Sequence, residues 1–157
     1  MNPRIRRLNA DYAQMSALFS SHPRIRLLNT EGSPPEKYVL QLNVLGLVPA
    51  EEGACTYGRT HRAELVLSLD YPRRPPLCRM LTPLFHPNVD PQKICIGDHW
   101  TAGQTLPQLV IRIAEMIAYQ CYNVKSPLNA KAAAWAAENM DQLPLEKQDF
   151  SAGLHPS

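Results

Sequence analysis

Between residues 4 and 19 the apolar side chains Ile5, Leu8, Tyr12, Met15 and Phe19 recur at spacings of three and four. That period predicts an amphipathic helix. Pro3 suits its first turn and Ser20-Ser-His-Pro23 stops it. Arg4, Arg6 and Arg7 are expected on its solvent face, as a solvated surface or a basic docking surface. The period then falls to two. Ile25–Leu28 reads as a short strand before the turn-like Glu31-Gly-Ser-Pro-Pro-Glu36. Tyr38–Val48 reads as a longer one, with Tyr38, Leu40, Leu42 and Val44 on one face. Ala63, Leu65, Leu67 and Leu69 alternate with Arg62, Glu64, Val66 and Ser68. Pro49–Gly58 reads as a loop. A fourth strand, Leu77–Leu84, follows Tyr71-Pro-Arg-Arg-Pro-Pro76. The connections are too short for crossover helices, so the strands are expected to be sequential and antiparallel.

From Phe85 to Gly103 no period holds, apart from the apolar island Ile94-Cys95-Ile96-Gly97. A long irregular stretch in a small domain is characteristically functional or mobile. A strong helix follows. Thr105 and Gln108 have the capping-box spacing, and Leu106, Leu109, Val110, Ile113, Met116 and Ile117 mark the buried face. Its pattern extends through Tyr119-Gln-Cys-Tyr-Asn123. Asn129 is placed to cap a last Ala-rich helix containing Trp135. Residues 1–140 read as one domain and residues 141–157 as a loose tail. A block of four strands with helices outside it is the α+β class with an antiparallel sheet.

Composition narrows the partners. The chain has 157 residues, 45% hydrophobic and 19% charged, with a formal net charge of +2. That fits a folded domain and implies neither nucleic acid nor membrane as main partner. The basic start Met1-Asn-Pro-Arg-Ile-Arg-Arg7 is followed by no apolar segment, and no apolar run reaches transmembrane length. A cytoplasmic protein is expected. The four cysteines, 55, 78, 95 and 121, include no Cys-x-x-Cys pair. No zinc site is implied, and free thiols are the default. Six of the 15 prolines, 72, 75, 76, 83, 87 and 91, crowd one stretch that cannot be helix.

Two features in the irregular stretch carry chemistry. Cys95 lies among β-branched neighbours, close to Lys93, Asp98 and His99. His86-Pro87-Asn88 precedes it. Taken singly, Cys95 reads as a small core residue and His86 as a hydrogen-bonded structural one. Together the pieces form a longer string. Tyr71-Pro72-x-x-Pro75-Pro76, Phe85-His86-Pro87-Asn88, Ile94-Cys95-Ile96, Trp100, Thr105-Leu106 and Ser126-Pro127-Leu128-Asn129 resemble the ubiquitin-conjugating enzymes in order and spacing. The resemblance spans roughly residues 4–140.

It implies the UBC-like fold, with an N-terminal helix, a four-stranded antiparallel meander and C-terminal helices. It also implies an acyltransferase in which Cys95 carries a ubiquitin-like protein as a thioester, receives it from an activating enzyme and passes it to a target amine. A thiol leaves readily, and the oxyanion of amine attack needs a placed donor. Asn88 takes that role or positions the loop, and His86 supports the turn. Ser126 stands where many members have Asp beside the incoming lysine. Asp98 and His99 are candidates for a base-like role. Arg4, Arg6 and Arg7 are the residues for the activating enzyme. No cofactor or metal is implied.

Arg73, Ala102 and Gly103 replace apolar contacts that RING ligases use, so a RING partner is not expected. Trp100 follows Cys95 by only five positions. The first helix keeps its basic residues while that ligase surface is changed, an asymmetry similar to the compact conjugating enzymes of bacterial ubiquitin-like operons, often linked to antiphage defence. The rival readings are a non-catalytic adaptor of the same fold and an unrelated hydrolase using Cys95 with His86 or His99.

Overall fold

The computed structural model describes residues 2–96 and 100–151. Helix α1 spans Pro3–Phe19. Asn2 caps it, its Oδ1 accepting the Ile5 N–H at 2.8 Å, and Pro3 occupies the first turn as expected. Leu8, Met15 and Phe19 face the core, but Tyr12 is 42% exposed and Asp11 is buried in its stead. Hydropathy misses this exchange because Asp11 brings its own partners. It accepts from the Tyr71 hydroxyl at 2.6 Å and from Arg7 Nε at 2.9 Å, so its burial leaves no orphan charge.

The strands are β1 (Ile25–Gly32), β2 (Pro35–Leu42), β3 (Gly46–Pro49), β4 (Cys55–Gly58), β5 (His61–Val66) and β6 (Leu77–Met80). Four of them form the expected antiparallel meander, in the order β1-β2-β5-β6. Leu40 pairs with Leu27 on one side and Ala63 on the other. Tyr38, Leu40, Leu42, Ala63 and Leu65 are buried on one face, where they join the apolar sides of α1 and of the later helix α2 (Leu106–Ile117).

The expected single strand Tyr38–Val48 is broken. β2 ends at Leu42, and Gly46 starts a separate hairpin whose first strand, β3, takes the end of the expected strand and whose second, β4, lies in the stretch expected to be a loop. A Cβ at Gly46 would lie 2.7 Å from Ile117 Cγ2. The chain crosses the end of a helix there, and only glycine permits that approach. The buried His61 ring fills the junction, its Nε2 2.9 Å from the Val44 carbonyl. β5 and β6 are shorter than expected, while β1 is longer and runs to Gly32. Leu69 is 85% exposed, because the strand has given way to the turn at 69–74.

Helix α2 covers Leu106–Ile117, and both arms of the Thr105–Gln108 capping box are present. The expected buried face is buried throughout. The helix does not continue to Asn123. Tyr119 has φ +61°, which no α-helix accommodates. Helix α3 spans Ala130–Glu138, with Asn129 as its cap, and a short 3-10 turn follows at Met140–Gln142. Among the described residues, no helix is long and apolar enough to cross a membrane.

The stretch after 140 is not loose as far as residue 151. Phe150 is 1% exposed within the main core. Its carbonyl lies 2.9 Å from His22 Nε2. His22 Nδ1 accepts the backbone N–H groups of Arg24 and Ile25, so Nε2 carries the proton and donates. Glu146 pairs with Arg24 and accepts the Leu45 N–H at 2.9 Å. The composition of 141–151 reads as polar tail because one aromatic side chain and two polar anchors hold it. Phe150→Ala should therefore lower unfolding stability by about 3 kcal/mol. Urea denaturation checks this; a loss under about 0.5 kcal/mol would mean the segment only rests on the surface.

Candidate functional site

The candidate site is built from a buried turn. His86 is fully buried and Asn88 nearly so. His86 Nδ1 accepts the Asn88 N–H at 3.0 Å. Its ring lies 4.7 Å from that of Tyr119, whose hydroxyl donates to the Phe85 carbonyl at 2.7 Å. The Pro87 carbonyl accepts two N–H groups, from Leu128 at 2.8 Å and Asn129 at 3.1 Å. The turn is thus fastened both to the chain leaving α2 and to the start of α3. Burial pushes the His86 imidazole down to about 4, against a weaker pull from the Met116 backbone. The ring is neutral, enclosed and part of the scaffold.

The Asn88 side chain is committed. Its Nδ2 donates to the Asn123 carbonyl at 2.8 Å, and its Oδ1 accepts the Asn123 N–H at 2.8 Å. One carboxamide brackets one residue of backbone. From Asn88 the chain makes a small return. Asp90 Oδ1 accepts the N–H groups of Gln92 (2.7 Å) and Lys93 (2.9 Å), an Asx turn stiffened by Pro91. Val89 bridges Ile94, Cys95 N–H donates to the Asn88 carbonyl at 2.8 Å, and Ile94 N–H to the Cys78 carbonyl of β6 at 2.8 Å. Ile94 and Ile96 are buried. Cys95 lies between them and is exposed. The apolar island is therefore an anchor on either side of a presented thiol.

Cys95 lies between two depressions. A cleft of about 640 Å³ is lined by Cys95 with Asn88, Arg112, Cys121, Lys125 and Ser126. A second groove, of about 610 Å³, runs from Cys95 along Lys93 and Ile94 to Leu77 and Arg79 of β6. The other thiols are hindered by burial, which pushes Cys55 and Cys121 up and Cys78 up to about 12.

The structure brings together Cys95, Asn88 and Ser126, with Ser126 exposed at φ +53°. Asp98 and His99 lie outside the described residues. The three arginines of α1 separate. Arg6 is exposed. Arg4 reaches the Ser68 carbonyl at 2.9 Å. Arg7 turns onto Asp11, the Tyr71 hydroxyl (2.9 Å) and the Gln104 carbonyl (2.6 Å). The expected solvent face is a single arginine wide, because the other two guanidiniums satisfy backbone carbonyls of neighbouring turns. Trp100 Nε1 donates to the Pro72 carbonyl at 2.9 Å. Among the described residues, no three His, Cys, Asp or Glu side chains gather to hold a metal ion. Sequence reasoning missed Arg112, Asn123 and Asp90. Only Asp90 carried a signal, since Asp-Pro opens type I turns.

A family model described as ubiquitin-conjugating enzyme matches residues 12–148. The chain belongs to the ubiquitin-conjugating enzyme family. It is similar to ubiquitin-conjugating enzyme E2 S of Dictyostelium discoideum, 32% identical over 119 residues, covering 73% of this chain and 54% of that protein. It is also similar to the SUMO-conjugating enzyme UBC9 of Caenorhabditis elegans, 29% identical over 91 residues and 54% of each. The chain spans about half the length of these curated relatives. Among solved structures, one titled novel ubiquitin-conjugating enzyme superposes with a TM-score of 0.65 at 18% identity, covering 88% of both chains. The E2 domain of a Toxoplasma gondii ubiquitin-conjugating enzyme superposes at 0.62 with 20% identity, covering 88% of this chain and 89% of that one. These likenesses show the UBC fold.

The neutral His86 makes stability depend on pH. Its imidazole ordinarily titrates at 6.5 and in the fold at about 4. Between those values the unfolded chain binds the extra proton. The contribution is complete above 6.5, drains as pH falls, and is gone below 4, a span worth roughly 3 kcal/mol. Urea midpoints from pH 7.5 to 4.5 should decline less steeply in His86→Gln than in the wild type. Equal slopes would mean that His86 is not held neutral by the fold.

Proposed function

We propose that this protein is an active conjugating enzyme whose nucleophile is Cys95. The supporting observation is the contrast among its thiols: Cys95 is exposed between two buried isoleucines and opens on a cleft shared with Asn88 and Ser126. The Cys95 thiolate attacks the thioester carbonyl of a ubiquitin-like protein held on its activating enzyme. A new thioester forms and the activating enzyme's thiolate leaves. A target amine then attacks the same carbonyl, the C–S bond breaks, and the amide product departs with Cys95 as free thiol. ATP is spent at the activating enzyme.

The hydrogen bonding of Asn88 supports the positioning role over direct oxyanion contact, and His86 supports the turn that carries it. Ser126 offers the incoming amine a hydrogen-bond acceptor without charge; Asp98 and His99 remain in the proposal as base-like groups. Arg6 is the α1 arginine available to the activating enzyme. Arg73 is exposed and paired with Asp70, and with Ala102 and Gly103 it argues for transfer without a RING ligase. An exposed Arg6 on the first helix beside a changed ligase surface at Arg73 carries the further proposal of a compact bacterial pathway of the antiphage type, acting in the cytoplasm.

The test mixes the protein with ATP and a panel of ubiquitin-like proteins, each with its activating enzyme, and resolves products on a non-reducing gel. One partner should give a thiol-sensitive adduct. Cys95→Ser should give a thiol-resistant oxyester and Cys95→Ala nothing. An adduct on Cys95→Ala would overturn the assignment, and an inert wild type across the panel would favour the adaptor reading.

A further inference from the structure

The cleft at Cys95 contains a charged donor that the fold leaves partly unpaired. Arg112 of α2 lines it together with Cys95, Asn88 and Ser126. The same side chain lines a second, small hollow with Ile96, Trp100, Gln104 and Leu109. Its stem therefore lies beside Ile96, the residue next to the candidate nucleophile. Its Nε is buried with no hydrogen-bond partner among the described residues, an arrangement costly enough to need a reason. The nearest carboxylate is Glu115, one turn along α2. Burial pushes the Glu115 carboxyl up and Arg112 pulls it down. Among the described residues the two form no direct ion pair, and Glu115 lies outside the lining of the cleft. A guanidinium has five N–H donors, so one such neighbour leaves others to give. Arg112 also pulls down the Cys121 thiol, against the larger effect of burial. Cys121 lines the same cleft, so the positive charge reaches into it.

The reaction at Cys95 needs such a donor. Whether an acyl group arrives on the sulfur or leaves it for an amine, the carbonyl oxygen passes through an anion that must be stabilised where it forms. The Asn88 carboxamide is engaged elsewhere, by the Asn123 backbone at both its polar atoms. Asn123, Lys125 and Ser126 line the cleft too, but all three are exposed on the irregular chain before α3, and Ser126 is the proposed seat of the amine. Arg112 stands on a helix with its stem packed, so its planar fork is oriented before a substrate arrives. Resting on the reading of Cys95 as nucleophile, we propose that the Arg112 guanidinium is a catalytic donor that binds the thioester oxygen as it becomes an oxyanion. In loading, the Cys95 thiolate adds to the acyl carbon, the oxygen takes up the charge against Arg112, and collapse expels the donor thiolate. In discharge, a neutral amine adds from the Ser126 side, the C–S bond breaks, and the proton shed by the nitrogen ends on the Cys95 sulfur.

The test uses the full chain and a synthetic peptide phenyl thioester. Transthiolation loads Cys95 and releases thiophenolate, free lysine then discharges the thioester, and intact-mass spectrometry follows both steps. Arg112→Ala should slow each step about 100-fold, because the oxyanion forms in both. Low-millimolar guanidinium should restore much of the alanine variant's rate, with saturation, and leave the wild type unchanged. Arg112→Gln keeps most of the stem; it should unfold in urea at the wild-type midpoint and still be slow. Wild-type rates in the two variants would overturn the proposal. So would slowing confined to discharge, or an alanine variant that guanidinium does not rescue, since packing alone explains either. A wild type that takes up no acyl group would instead overturn the assignment of Cys95 as nucleophile.

Discussion

The candidate site of this fold hangs on two hydrogen bonds between the Asn88 carboxamide and the backbone of Asn123. Both sit at a nearly buried position, where an unpaired amide group costs on the order of 1–3 kcal/mol. They join two stretches that no helix or strand connects: the turn that leads to Cys95, and the chain that carries Ser126 into α3. Cys95 depends on the same residue through its own N–H, which donates to the Asn88 carbonyl. His86, Pro87 and Tyr119 add to one purpose. Each gives a ring or a carbonyl to hold that turn against the end of α2.

A second clamp acts beyond the thiol. Arg7 holds the Gln104 and Ala102 carbonyls, stacks on the Tyr71 ring at 5.1 Å and pairs with Asp11. Burial raises the Asp11 carboxyl above its usual range while the Tyr71 hydroxyl and Arg7 work the other way. Trp100 packs on Tyr71 at 5.8 Å and bonds the Pro72 carbonyl. The irregular stretch is therefore fastened before Cys95 by Asn88 and after it by α1. In the proposed role, a thiol flanked by two such fastenings would need little further ordering to meet an acyl carbonyl.

Much of this was legible in the chain. The meander, the α1 and α2 stripes and the capping signals at Thr105 and Asn129 are local patterns, and local physics enforces them. The string from Tyr71 to Asn129 pointed to Cys95, His86 and Asn88, which the fold brings to one turn. What the sequence hid was set by partners distant along the chain. Asp11 replaces Tyr12 inside because Arg7 and Tyr71 come to it. The β3–β4 hairpin exists because Gly46 passes the end of α2. Tyr119 ends that helix in a conformation that no propensity scale favours. Asn123 and Arg112 bear on the site only through contacts that hydropathy and spacing cannot express.

The most direct measurement is Asn88→Ala, followed at once by urea unfolding and by the rates of loading and discharge at Cys95. Loss of the bracket should lower stability by about 2 kcal/mol and slow loading and discharge alike, because the thiol, Ser126 and the cleft lose their common support. Unchanged stability and normal loading, with only discharge to an amine slowed, would contradict the account and put the carboxamide on the oxyanion.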